Sequence, residues 1–200
     1  LCGWISPCYD NVSLVLERTA LSNTLRERFP RTTCACDLCG VGCRCLPGAL
    51  APEDLAPIAA AVQRDPDDAQ FLLDYFEASD GAKVARRDAF GNVEVFSVPS
   101  LVPRLTDTGC IFLRDGRCSI HAVSPAGCAL MDMHQDEQTA MPRSQALVEA
   151  QMLSHDARDR YSRAIEQLQA AGQKALPLSE RRRRMAKEIA RIENSGQAGS

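Results

Sequence analysis

The sequence predicts a mainly helical α+β protein in which a cysteine-rich loop and one or two small β-hairpins surround a metal centre. Three observations carry that expectation. Apolar residues recur every three or four positions in the N-terminal and C-terminal parts, Val93 and Val95 alternate near a Gly91-Asn92 turn, and the cysteines are clustered. Cys34, Cys36, Cys39, Cys43 and Cys45 fall in one short segment, and Cys110, Cys118 and Cys128 follow later. Thiolates crowded in this way repel one another unless a soft ion or an iron-sulphur cluster shares their charge.

Taken in order, Leu14, Leu21, Leu25 and Phe29 line one helical face within residues 1–33, and Pro30 ends that helix. The cysteine-cluster domain follows over residues 34–135. Pro52, Glu53 and Asp54 have the character of a first helical turn, although Pro57 comes too soon for a long uninterrupted helix. Asp65 and Pro66 open a second segment with Phe71, Leu72, Tyr75 and Phe76 on its apolar side. Lys83 to Val98 is strand-like and predicts a hairpin.

Residues 136–193 form the C-terminal helices. One long helix is expected from Pro142 to Gly172, with Leu147, Ala150, Ser154, Ala157, Tyr161, Ala164 and Leu168 along its stripe. Ser179 caps a last helix carrying Met185, Ile189 and Ile192, and the tail 194–200 is expected to be disordered.

Composition excludes several function classes. A net charge of -3 and a pI near 5.7 give no global attraction to nucleic acid or to an anionic membrane, and Arg181 to Arg184 reads as a solvated helix face. No segment is long and apolar enough to span a bilayer. Leu1 to Asp10 lacks the features of a secretory signal and an initiator Met, so a trimmed or incomplete chain in a reducing cytoplasm is expected. The 10 cysteines in 200 residues fall below the density of a secreted disulfide scaffold, and a disulfide framework would require oxidising surroundings.

Within the cysteine segment, Gly40 and Gly42 are expected to take positive φ and turn backbone N–H groups towards sulphur. A redox role for Cys36-x-x-Cys39 is disfavoured, because no βαβ pattern surrounds it and many sulphurs lie nearby. Cys110 to His121 reads as a tight hairpin turning at Asp115-Gly116. A two-residue turn would set Cys118 opposite Leu113 and send Cys110 and Cys118 to opposite faces. A three-residue loop, Arg114-Asp115-Gly116, pairs Cys118 with Phe112 and is therefore predicted. Ser124 and Pro125 suggest an N-cap and first helical residue, placing Cys128 at a helix start that favours a thiolate.

Cys36-x-x-Cys39-Gly40-x-x-Cys43, the Leu50 to Leu55 helix start, and Gly109-Cys110 through Cys118-Ser119-Ile120 to Pro125-x-x-Cys128 resemble the YkgJ-type cysteine-cluster family, described as a zinc- or iron-chelating domain. The resemblance covers residues 34–133 and departs from the family at Gly42-Cys43-Arg44-Cys45, His121 and Ser124. It implies Cys36, Cys39, Cys43, Cys110, Cys118 and Cys128 as ligands, with Cys45 next. The family's likeness to flagellin lysine methylases implies an iron-sulphur cluster, with zinc as the alternative. Two functions are expected to compete: a metal enzyme acting on a protein or peptide side chain, and a structural or metal-carrier module held by zinc. His121 is a weaker ligand candidate, His134 and Asp132 weaker still, and His155 is scattered; Cys2 and Cys8 read as peripheral thiols.

Overall fold

The computed structural model describes residues 25–30, 36–88, 90–131, 133–152 and 156–197. Most of the expected N-terminal helix lies outside them; its last turn, α1, is Leu25–Arg28, stopped before Pro30. The fold is α+β and mainly helical. Helices α2 (Asp37–Cys45), α3 (Leu55–Ala61) and α4 (Ala69–Tyr75) precede a long hairpin of β1 (Phe76–Arg87) and β2 (Val93–Pro103). Four two-residue strands follow, β3 (Leu105–Thr106), β4 (Gly109–Cys110), β5 (Leu113–Arg114) and β6 (Arg117–Cys118). Helices α5 (Glu137–Met152), α6 (Asp156–Ala170) and α7 (Leu178–Gln197) close the described chain, and none of its helices is long and apolar enough to cross a membrane.

Local chemistry explains the boundaries. Pro52 opens a 3-10 turn to Asp54, and Pro57 is accommodated in the first turn of α3, where an N–H has no helical partner to lose. The helix expected from Asp65-Pro66 begins later, because the Asp68 carboxylate caps α4 by accepting the Gln70 N–H at 2.9 Å. The α5 start moves earlier than Pro142 for the same reason: Asp136 accepts the Thr139 N–H at 2.8 Å. The single helix expected through Gly172 is two, α5 and α6, whose junction lies outside the described residues. The hairpin is longer than its alternating stretch suggested, running from Phe76 opposite Pro103 to Arg87 opposite Val93. A bulge between Ser79 and Ala82, with Gly81 at φ 73°, lets it bend towards the core.

The core joins Leu50, Leu55, Ile58, Phe71, Phe76, Leu101, Phe112, Tyr161 and Leu168. Phe71 meets Phe76 edge to face at 5.2 Å, and Tyr75 stacks on Phe112 at 5.4 Å, so aromatic contact ties α4 and β1 to the cysteine hairpins. Tyr161, 1 % exposed, fastens α6 to two other segments. Its hydroxyl donates to the Leu50 carbonyl at 2.8 Å and accepts the Leu101 N–H at 2.8 Å, while the Leu50 N–H reaches the Leu101 carbonyl at 2.9 Å. Burial pushes the tyrosine pKa upward, which keeps the hydroxyl a donor.

The basic run does not form a uniformly solvated face. Arg181 is buried, donating to Ser79 Oγ and the Leu176 carbonyl at 3.0 Å each, while Arg183 and Arg184 pair with Glu180. Further along α7, Glu188 bonds Arg191 at 2.8 Å and Arg44 of α2 at 3.0 Å. The helix runs to Gln197, so the expected tail 194–200 begins as helix over residues 194–197.

Two outcomes follow. Tyr161→Phe leaves the buried Leu101 N–H without its acceptor and should cost about 1–3 kcal/mol, read as a lower urea midpoint at unchanged slope. Arg191 and then Arg44 hold the Glu188 pKa at about 2, below its ordinary 4.5. The resulting stabilisation is present above about 4.5 and is lost as pH falls towards about 2, so Glu188→Gln should lower Tm at neutral pH and converge with the parent near pH 2.

Candidate metal centre

The cysteine segment that was expected to be a loop is a helix. Cys36 is the N-cap of α2, extended at φ -69° and ψ 161°, and its Sγ accepts the Cys39 N–H at 3.5 Å. Gly40 and Gly42 therefore lie within a helix and are not among the positive-φ residues. At about 100° per residue, Cys36, Cys39 and Cys43 fall on one stripe, and Cys45 lies about half a turn away from it.

The stripe's exposed end carries the ligand group. Cys36 Sγ and His134 Nε2 are 3.4 Å apart, and these two atoms and Cys39 Sγ all lie within 4.8 Å of one another. A tetrahedral ion with bonds near 2.3 Å to sulphur and 2.0–2.1 Å to nitrogen requires ligand separations of about 3.6–3.8 Å, so small side-chain rotations complete the fit. His134 lies on the segment before α5, and Arg143 steadies that segment from α5. Arg143 Nη1 donates to the Ala129 carbonyl at 3.1 Å and to Gln135 Oε1 at 3.0 Å, and Gln135 Nε2 reaches the Leu130 carbonyl at 2.8 Å.

Cys43, Cys110 and Cys118 form a deeper neighbourhood. Burial, with smaller contributions from the charges of Cys43 and Cys118, pushes the Cys110 thiol up to about 12. Burial, then Cys118, likewise raises Cys43. Gly109 allows this approach: at φ 121°, a Cβ there would stand 3.0 Å from the Cys43 carbonyl oxygen and 3.1 Å from Arg44 Cα. The three thiols influence one another electrostatically, but among the described residues they do not close to the 4.8 Å mutual spacing of the Cys36 group.

The three-residue hairpin loop is corrected. Leu113 pairs with Cys118 and Arg114 with Arg117, leaving a two-residue turn with Asp115 at φ 49° and Gly116 at φ 74°. Asp-Gly suits that left-handed pair, whose twist matches the strands. The predicted consequence, opposite faces, assumed one continuous ribbon. Cys110 instead belongs to β4, paired with Leu105 of β3, and the chain turns at Ile111-Phe112 before β5, so face alternation does not extend from Cys118 to Cys110.

Cys128 arrives by a different contact. It sits in a 3-10 segment, Ala126–Met131, where an α-helix capped by Ser124 was expected. The Ala126 N–H is instead taken by Asp54 Oδ2 at 2.7 Å, and the same oxygen accepts the Ala51 N–H at 2.8 Å. Gly48 crosses this segment so closely that a Cβ on it would lie 2.1 Å from Cys128 N, and Gly127 N–H donates to the Ala49 carbonyl at 2.8 Å. Cys45 points elsewhere: it is buried, and its thiol is raised by burial and then by Glu188 of α7.

His121 is exposed in a separate 3-10 turn, and it does not join the Cys36 group. Cys2, Cys8, Cys34, Asp132 and His155 lie outside the described residues. The candidate ligand that sequence reasoning underweighted is His134, whose only signal was its position six residues after Cys128.

Gly48→Ala should destabilise the chain by about 1–3 kcal/mol or more, since the methyl group meets backbone rather than a movable side chain. A lowered urea midpoint checks this. The chain matches no family model, no curated protein and no solved structure.

Proposed function

We propose that this is a metal-binding protein whose Cys36, Cys39 and His134 hold one soft divalent ion, zinc fitting best. The single observation behind this reading is the 3.4 Å separation of Cys36 Sγ and His134 Nε2 within a three-ligand group, close to the edge of a zinc tetrahedron. Two thiolates and an imidazole are a borderline-soft donor set that suits zinc. Three protein ligands at the surface leave a fourth position for water, another thiolate or a bound partner. The motif-level likeness to the YkgJ-type pattern supports metal binding at Cys36 and Cys39, although it implies further thiolates and an iron-sulphur cluster ahead of zinc and stops before His134.

A second reading, an iron-sulphur cluster, is favoured by one observation of its own. Cys43 continues the Cys36-Cys39 stripe and is electrostatically coupled to Cys110 and Cys118, so more thiols gather near the helix than one zinc ion requires.

Anaerobic purification followed by metal and acid-labile sulphide analysis separates the two. A colourless chain with one zinc, losing at least about 10-fold to 100-fold in affinity on His134→Ala, supports the first. A brown chain carrying iron and sulphide supports the second, and a chain with neither overturns both. Ligand deprotonation makes zinc compete with protons, so its affinity should fall as pH is lowered, measured by chelator competition.

A further inference from the structure

We propose that Cys36 and Cys39 form an exchangeable dithiol, which low-molecular-weight disulfides oxidise to an intrachain disulfide and thereby displace the ion held with His134. The displacement rests on the metal reading above, whereas the exchange itself rests only on the thiols. This restores a redox role that the surrounding sequence pattern had argued against, because the decisive features are three-dimensional.

Four features of the site support it. Cys36 is exposed and Cys39 half-buried, whereas Cys45 and Cys110 are each only 8 % exposed. Among the described cysteines only Cys36 is exposed, so of these an attacking small molecule meets its sulphur first. Cys36 caps a nine-residue helix and its sulphur accepts the Cys39 N–H at 3.5 Å, which keeps the two residues of the pair at one helix end. His134 Nε2 lies 3.4 Å from Cys36 Sγ and holds that sulphur at the outer end of the site. Cys39 Sγ stands within 4.8 Å of Cys36 Sγ, so rotation about side-chain bonds can bring the two to bonding distance.

The exchange balances in two steps. Cys36 thiolate attacks one sulphur of the small disulfide, forming a mixed disulfide and expelling one thiolate. Cys39 thiolate then attacks Cys36 Sγ, forming the Cys36–Cys39 bond and expelling the second thiolate. Two electrons pass from the protein dithiol to the small disulfide, yielding two small thiols. With zinc present, both protein sulphurs are already deprotonated; once they share a bond they lose their charge, and the divalent ion leaves. His134 alone does not retain it.

Oxidised glutathione is the probe, added anaerobically to the full chain in zinc-loaded and metal-free forms. Zinc release is followed with a chromophoric chelator and disulfides are mapped by peptide mass spectrometry. The expected result is one zinc released for each Cys36–Cys39 disulfide, with Cys36 reacting at least about 10-fold faster than Cys110. Cys39→Ser should stop the reaction at a glutathione adduct on Cys36. A metal-free parent chain that is modified first at Cys43, Cys110 or Cys128, or that pairs Cys36 with another cysteine, would overturn the exchange without needing any variant. A chain that binds no zinc yet forms the Cys36–Cys39 disulfide refutes the metal reading and leaves the exchange standing. Zinc that stays bound after that disulfide forms overturns the coupling between them.

Discussion

The Asp54 carboxylate is the contact on which the cysteine-bearing architecture depends. One buried oxygen receives the backbone N–H groups of Ala51 and Ala126, which are distant in sequence. It thereby joins the segment leaving α2 to the segment carrying Cys128. A buried carboxylate is tolerable only when such donors replace the water it has lost. The crossing of Gly48 and Gly127 operates beside it, because backbones can meet there only without side chains. Tyr161 completes the arrangement by holding Leu50 and Leu101 to α6.

With those elements held, the thiols separate by depth. Helical periodicity turns Cys36, Cys39 and Cys43 to one side of α2 and Cys45 to the other, towards α7. The outer end of the stripe meets His134 at the surface. Its inner end lies near Cys110 and Cys118, where low polarity opposes ionisation of the metal-free thiols. The candidate ligand group therefore stands at the exposed end, while Cys110 at the inner end is buried.

Sequence patterns revealed much of this, with consistent kinds of error. The mainly helical α+β class, the long hairpin and the candidate cysteines were all visible from periodicity and spacing. The cysteine helix was not, because glycines at Gly40 and Gly42 and crowded thiols suggested an open loop. Packing of α2 against α7, with Arg44 meeting Glu188, favours a helix that its glycines alone would weaken. The Asp115-Gly116 turn was misread for a different reason. Strand alternation was applied across Ile111-Phe112, where the chain in fact changes partner strand.

The sequence by itself determined the supply of ligands, the helix starts marked by aspartate, and the places where glycine permits close approach, since these depend on residue identity and local spacing. Only the tertiary structure decided which candidate ligands meet. His134 lies 98 residues from Cys36, and no local rule reports that distance; it is closed by Asp54, the glycine crossing and Arg143 acting through space. The separation into exposed and buried thiols is likewise tertiary, because burial belongs to the packed chain rather than to any residue in it.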